Sequence, residues 1–319
     1  MRRITTLLCC LGLFSCWCLK AQQEAQYTQF MYNKLAFNPG FAGAEDSGTF
    51  LAIARQQWLG FDGAPSLQSL SYNVPFTASG IGVGIRISRL SIGLEEEYTA
   101  EGSYAYRFLV GRGARFGIGV SASVRRYGIN FSDATPVQGG GIDQAIPVGD
   151  ASKYVPNFGV GLYYDNPRLY VGISLPRLLE NNIDLGNDQT IISRQARHFY
   201  FMGGLNIRVG ENTVLHPQAL FKMVQGAPLD ADFNLTADLN DNFSVGATYR
   251  LGGSSNQGAG ESLGALVGVQ LSEYIRLSFV YEMGLSELRS YHNGSFEGTI
   301  RYSVGGRAQG DEIIDPRSL

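Results

Sequence analysis

The residue types able to do chemistry are few and scattered. Histidine occurs at three positions, His198, His216 and His292, and side-chain oxygens crowd at Glu95-Glu96-Glu97 and at Asp238, Asn240 and Asp241. A metal centre needs convergent His, Cys or carboxylate ligands at regular spacing, and no such spacing is present. The acidic clusters could attract calcium at an exposed turn, but as runs beside turn formers they read more simply as solvated charge. No nucleophile elbow occurs, and Gly139-Gly140-Gly141 lacks the Lys and Ser/Thr of a phosphate loop. His198 begins an expected strand, His216 precedes Pro217 in another, and His292 adjoins Asn293-Gly294 in a hairpin, so each reads as a rim or lumen residue. No catalytic residue, cofactor or metal is expected, and the chain is not read as an enzyme.

The whole-chain features point to export. Residues 1–21 read as a signal peptide, with Arg2 and Arg3 before an apolar stretch from Leu7 to Leu19 and a cleavage position at Ala21. Leu13-Phe14-Ser15-Cys16 loosely matches a lipoprotein signal, but Phe14 fits it poorly, and ordinary cleavage is the expectation. All four cysteines, Cys9, Cys10, Cys16 and Cys18, lie in this segment. An exported chain without disulfides needs another stabilising device. Losing Arg2, Arg3 and Lys20 takes the net charge from −3 to −6. With no run of Lys and Arg, a nucleic-acid partner is not expected.

The elements that must position any site are short strands. Phe116, Ile118, Val120, Ala122 and Val124 alternate with Gly117, Gly119, Ser121, Ser123 and Arg125. Similar alternation runs from Ile81 to Ser88, from Leu169 to Leu175 and from Phe243 to Arg250. Each such segment has one apolar face and one small or polar face. A soluble sandwich would charge its outer face, whereas here the polar side is mostly Gly and Ser with isolated Arg. A transmembrane barrel accounts for this, because its apolar face meets lipid and its small and polar residues line the interior. The expected fold is therefore an all-β transmembrane antiparallel β-barrel of about 14 strands. The spans are 49–57, 66–74, 81–91, 97–108, 115–130, 155–165, 168–175, 197–208, 214–223, 229–239, 243–250, 263–271, 275–282 and 296–304. Connections after even strands are short and several after odd strands are long, including 132–154, 176–196, 251–262 and 283–295. Short turns belong to the periplasm and long loops to the outside. The expected organisation is a signal at 1–21, an N-terminal periplasmic or plug segment at 22–48, an outer-membrane barrel at 49–304 and a C-terminal tail at 305–319. Segment 22–48 has few charges and many aromatics, unlike a disordered tail.

Three segments just after the signal are distinctive: Tyr27-Thr28-Gln29-Phe30-Met31-Tyr32-Asn33, Asn38-Pro39-Gly40-Phe41-Ala42-Gly43, and Arg55 to Trp58 followed by Leu59-Gly60-Phe61-Asp62-Gly63-Ala64-Pro65. Locally, Asn38-Pro39-Gly40 and Phe61 to Pro65 are turn formers. As a set they resemble the signature of the PorP/SprF family, outer-membrane proteins of the type IX secretion and gliding machinery. The resemblance implies an outer-membrane component that helps secrete or anchor a surface cargo with a sorting C-terminal domain, beside other type IX secretion components and outer-membrane lipid. Trp58, Leu59, Phe61 and Asp62, at the outer rim, are the candidate partner-binding residues, although an interfacial aromatic girdle closing on a tight turn accounts for them as well. The alternative from a different class is a substrate-specific porin or small-molecule transporter. Arg86, Arg125, Arg250 and Arg276 fall on the polar face and would either line an anion-selective pore or neutralise buried acids in a plugged lumen.

Overall fold

The computed structural model describes residues 24–76, 78–111, 113–130, 150–183, 195–252 and 260–304. The expected signal, the Gly139–Gly141 loop and the tail at 305–319 lie outside them.

The period-two segments become β1 (Thr49–Gln56), β2 (Ser66–Phe76), β3 (Ile81–Ile92), β4 (Glu95–Leu109), β5 (Arg115–Ile129), β6 (Ala151–Asp165) and β7 (Leu169–Leu175). They continue as β8 (His198–Leu205, resuming after Asn206 as Ile207–Val209), β9 (Thr213–Val224), β10 (Asp230–Leu239), β11 (Phe243–Leu251), β12 (Ser262–Gln270), β13 (Ile275–Gly284) and β14 (Ser295–Ser303). Each strand pairs antiparallel with the next, and β14 pairs with β1 from Thr49↔Ser303 to Gln56↔Phe296, so the 14 strands close into a barrel with no free edge. The β4 and β6 strands begin at 95 and 151, earlier than expected, because the β5–β6 ladder runs out to Ile129↔Ala151 and β4 follows it to Glu95↔Ile129. Within β8 the ladder breaks opposite Pro217, which has no N–H to donate. It resumes in the same register at Leu215↔Ile207, and Asn206 there bonds Pro167 and His216 through its side chain.

The faces are those that alternation implies. In β5, Ile118, Val120 and Val124 point outward, with Val120 52% exposed, while Gly117, Gly119, Ser121 and Arg125 are buried on the inside. Outward rings cluster near strand ends, as in the Phe50–Tyr72 and Tyr274–Tyr302 stacks, which is the placement of an interfacial girdle. The short connections, such as 210–212 and 240–242, share one end, and 57–65, 176–197 and 285–294 share the other. We assign the latter to the outside. A protease site placed in 132–149 should therefore be cut on intact cells and one placed at 210–212 protected. The reverse cleavage pattern would invert this orientation.

The core sits inside the barrel. It is built by residues 24–48, whose Tyr27, Phe30, Met31, Leu35, Phe37 and Phe41 are buried against inward residues such as Leu51, Tyr163, Tyr200 and Met202.

Candidate functional site

The four rim residues sit in the β1–β2 connection. Trp58 adopts a left-handed backbone (φ +50°), uncommon for a bulky residue, and the turn is fixed from both sides. Its N–H donates to Ser295 Oγ (3.2 Å), Leu59 N–H to Gly294 O (2.8 Å) and Asn293 N–H to Leu59 O (2.8 Å), which joins the turn to the β13–β14 connection. Gly93 N–H donates to Gly63 O (2.9 Å), joining it to the β3–β4 turn. The Trp58 indole packs edge-on to Phe61 at 6.3 Å and against His292 at 6.2 Å, and Phe61 is 50% exposed. The structure thus brings Trp58 and Phe61 together, uses Leu59 through its backbone, and leaves Asp62 at the surface. A braced turn carrying an exposed aromatic is pre-organised to be held against another surface.

The lumen is the second candidate site. Asn38 caps the single turn Pro39–Phe41, its Oδ1 accepting from Gly40 N–H at 2.8 Å, while its Nδ2 donates to Leu162 O (2.9 Å) in the wall. The wall there is glycine. A Cβ on Gly119 would lie 2.3 Å from Pro39 O, and one on Gly161 would lie 2.0 Å from Asn38 Oδ1. The two glycines are cross-strand partners in β5 and β6, so together they form a flat bed on which Asn38-Pro39-Gly40 rests. Ser174 Oγ donates to Phe37 O (2.7 Å), Gly43 N–H donates to Asn73 Oδ1 (2.7 Å), and Arg107 Nη1 donates to Gly40 O (3.1 Å). By alternation Gly119 reads only as part of a small-residue lining, and Gly161 gives no signal of its own. Their pairing with the turn motif appears only once register is known.

Charge fixes the rest of the segment. Near the short-loop end, Glu45 pairs with Arg301 (2.9 Å) and Asp46 with Arg115 (3.1 Å). In the outer half, the N–H groups of Thr28 and Gln29 each donate at 2.8 Å to the fully buried Glu297 carboxylate. Arg55 bridges Glu297 (3.6 Å) and Glu282 (2.6 Å), and Arg250 joins Glu282 (3.7 Å) to Asp232 (2.6 Å). Glu24 receives Arg125 and Arg177, and burial, which would raise its carboxyl, is outweighed by these two guanidinium groups, which hold it well below the usual range. Burial pulls the Lys34 ammonium, 3.8 Å above the Tyr170 ring, down to about 8. The four polar-face arginines are therefore ion-paired: Arg86 with Glu101, Arg125 with Glu24 and Glu97, Arg250 with Asp232, and Arg276 with Asp238. Buried charges demand such partners, and removing one partner of a buried pair typically costs about 3–5 kcal/mol. Sequence reasoning found these arginines by alternation. It missed Glu24, Glu297 and Arg177, because only the fold brings them to the lumen.

Of the residues first considered for chemistry, only His216 and Asp238 come together among the described residues, with Nε2 and Oδ2 3.5 Å apart; the rest are dispersed. His198 Nδ1 lies 3.1 Å from Ala196 O and His216 Nδ1 lies 2.9 Å from Asn206 Oδ1, while His292 Nδ1 accepts from Gly294 N–H. Glu96 pairs with Arg89, and Asp238 accepts from Ser244 at 2.7 Å. Among the described residues, no group of three or more His, Cys, Asp or Glu is placed to hold a metal ion.

A family model described as type IX secretion system membrane protein PorP/SprF matches residues 19–302. No curated protein matches the chain. Among solved structures the chain is similar to the Acinetobacter baumannii outer membrane protein Omp33, with 8% identity, 81% of this chain and 98% of that one covered, and a TM-score of 0.46. It is also similar to a Pseudomonas aeruginosa FadL homologue, at 12% identity, 84% and 93% coverage and a TM-score of 0.46. A third is the Ralstonia pickettii toluene transporter TbuX, at 10% identity, 86% and 93% coverage and a TM-score of 0.47. Likenesses this distant carry no argument about what passes through or binds to this barrel.

Proposed function

This chain belongs to the PorP/SprF family of type IX secretion system membrane proteins, and from that premise we propose that it is an outer-membrane component of the type IX secretion and gliding machinery that helps secrete or anchor one surface protein. Its partners on this reading are other secretion components and a cargo bearing a sorting C-terminal domain. The observation that supports it is the filled lumen. A substrate-specific porin works through a wetted channel, whereas here residues 24–48 occupy the interior and the lumen arginines are ion-paired. A barrel closed by its own chain acts through its surfaces, and the braced β1–β2 turn is the surface best prepared for a partner.

Trp58→Ala with Phe61→Ala tests this. The barrel should remain folded, judged by heat-modifiable gel migration, because the turn keeps its backbone bonds to Gly294 and Gly93. Cargo recovered with the affinity-purified barrel, and cargo displayed on the cell surface, should fall to background. Normal display at normal barrel levels would reduce the turn to a structural role. Loss of the folded barrel would assign both rings to the girdle.

A further inference from the structure

Glu24 and its surroundings have the form of a ligand site occupied from within. Its carboxylate takes both terminal nitrogens of Arg125, Nη1 to Oε1 at 3.3 Å and Nη2 to Oε2 at 3.0 Å, the forked geometry by which arginine recognises a carboxylate. Arg177 Nη1 adds a third contact at 2.7 Å. A polar cavity lies alongside, bordered by Arg86, Ser88, Glu97, Thr99 and Tyr200. The ion pairs divide unevenly. Arg86 is matched by Glu101 (3.1 Å) and Arg125 keeps Glu97 (3.0 Å), but Arg177 meets its carboxylate only in Glu24 among the described residues. If Glu24 leaves, Arg177 has no other counterion among the described residues, a costly arrangement that an incoming carboxylate relieves.

Placement and tethering fit an exchangeable occupant. Arg125 lies near the outer end of β5, Arg177 follows the outer end of β7, and His198 opens β8 at the same level. The stretch 38–43 is interlocked with wall backbone through the glycine bed, whereas residues 24–26 are held by side chains, Glu24 by the arginines and Gln26 by Arg250 at 3.2 Å. Exchange would thus involve residues 24–26 alone, because Thr28 and Gln29 are seated on Glu297 by their N–H groups and the inner stretch by the glycine bed.

We propose that Arg125 and Arg177 form a carboxylate-binding site at the outer end of the lumen, filled at rest by Glu24 and open to an acidic peptide segment that displaces it. This goes beyond the secretion reading and does not depend on it, being tested on the purified barrel alone.

No cysteine follows Cys18, so Ala25→Cys in the full chain reports the position of the segment by its labelling rate with a charged maleimide. Glu24→Gln should raise that rate by at least about tenfold, since a buried charge pair is lost, with heat-modifiable migration unchanged. A fluorescent tetraglutamate amide should bind the Glu24→Gln barrel, tetraglutamine should not, and adding Arg177→Gln should abolish the binding. An unchanged labelling rate would mean that Glu24 does not hold the segment. Faster labelling without tetraglutamate binding would make the arginines a structural lock and overturn the site.

Discussion

Gly119→Val combined with Gly161→Val should empty the barrel while leaving its wall intact. Both glycines face inward and are direct partners across β5 and β6, so the two new side chains would stand together where Asn38-Pro39-Gly40 now lies. The new Cβ atoms would meet Pro39 O at 2.3 Å and Asn38 Oδ1 at 2.0 Å, far inside contact distance, and Gly119 would also meet Gly40 N at 2.4 Å. These are not flexible side-chain ends that swing away. Pro39 is held by a fixed ring and Asn38 by wall carbonyls. Overpacking typically costs about 1–3 kcal/mol per site, and two such sites against one short turn exceed what its few hydrogen bonds return. The wall itself keeps its ladder and its lipid face. Two measurements should therefore change together. Trypsin should cleave after Lys34, now half-buried inside the barrel at the Tyr170 ring, in the folded variant but not in the parent, and planar-bilayer conductance should appear where the parent gives none. A folded variant that still protects Lys34 would show that the glycine bed does not hold the plug.

The contrast between what the sequence revealed and what it hid follows from range. Strand existence, outward and inward faces and the even strand number were legible because the two-residue side-chain period is a local property, as Ile118, Val120 and Val124 show. The short connections after the even strands, left by the spans at 166–167, 209–213 and 240–242, are legible for the same reason. The plug's anchoring was not. The role of Gly161 is set by Asn38, more than a hundred residues earlier, and Glu297 meets Thr28 at a separation of 269 residues. Nothing local distinguishes a glycine that widens a pore from one that seats another backbone. The one usable signal was the coincidence of a compact turn motif, Asn38-Pro39-Gly40, with inward glycines on consecutive strands. The candidate rim residues show the same division. Trp58 and Phe61 are legible by type and position, but the bracing of their turn by Gly294 and Gly93 depends on the register that brings β14 beside β1 and the β3–β4 turn beside both.

Val120→Arg should be the most damaging single change on the outer wall. Val120 lies mid-strand in β5, 52% exposed on the face that meets lipid, between outward Ile118 and Val124 and opposite Tyr104 of β4. An arginine there has no interior partner and must either sit in hydrocarbon or drag water to it, a cost of about 2–4 kcal/mol near the midplane of a barrel. The adjacent inward position gives a control with a different cause. Were the lumen an aqueous channel, Ser121→Arg would be nearly harmless. In this barrel Ser121 is buried, facing inward opposite Gly159, so a guanidinium there overpacks the interior. Val120→Arg should thus lower the yield of inserted barrel in membranes while its plug stays protease-resistant, and Ser121→Arg should insert but expose Lys34 to trypsin. Equal insertion with opposite plug behaviour would reverse the faces. A Ser121→Arg barrel that inserts normally and still protects Lys34 would mean that the lumen beside β5 has room for a guanidinium, and that the interior there is wetter than the packing of Asn38 against Gly161 implies.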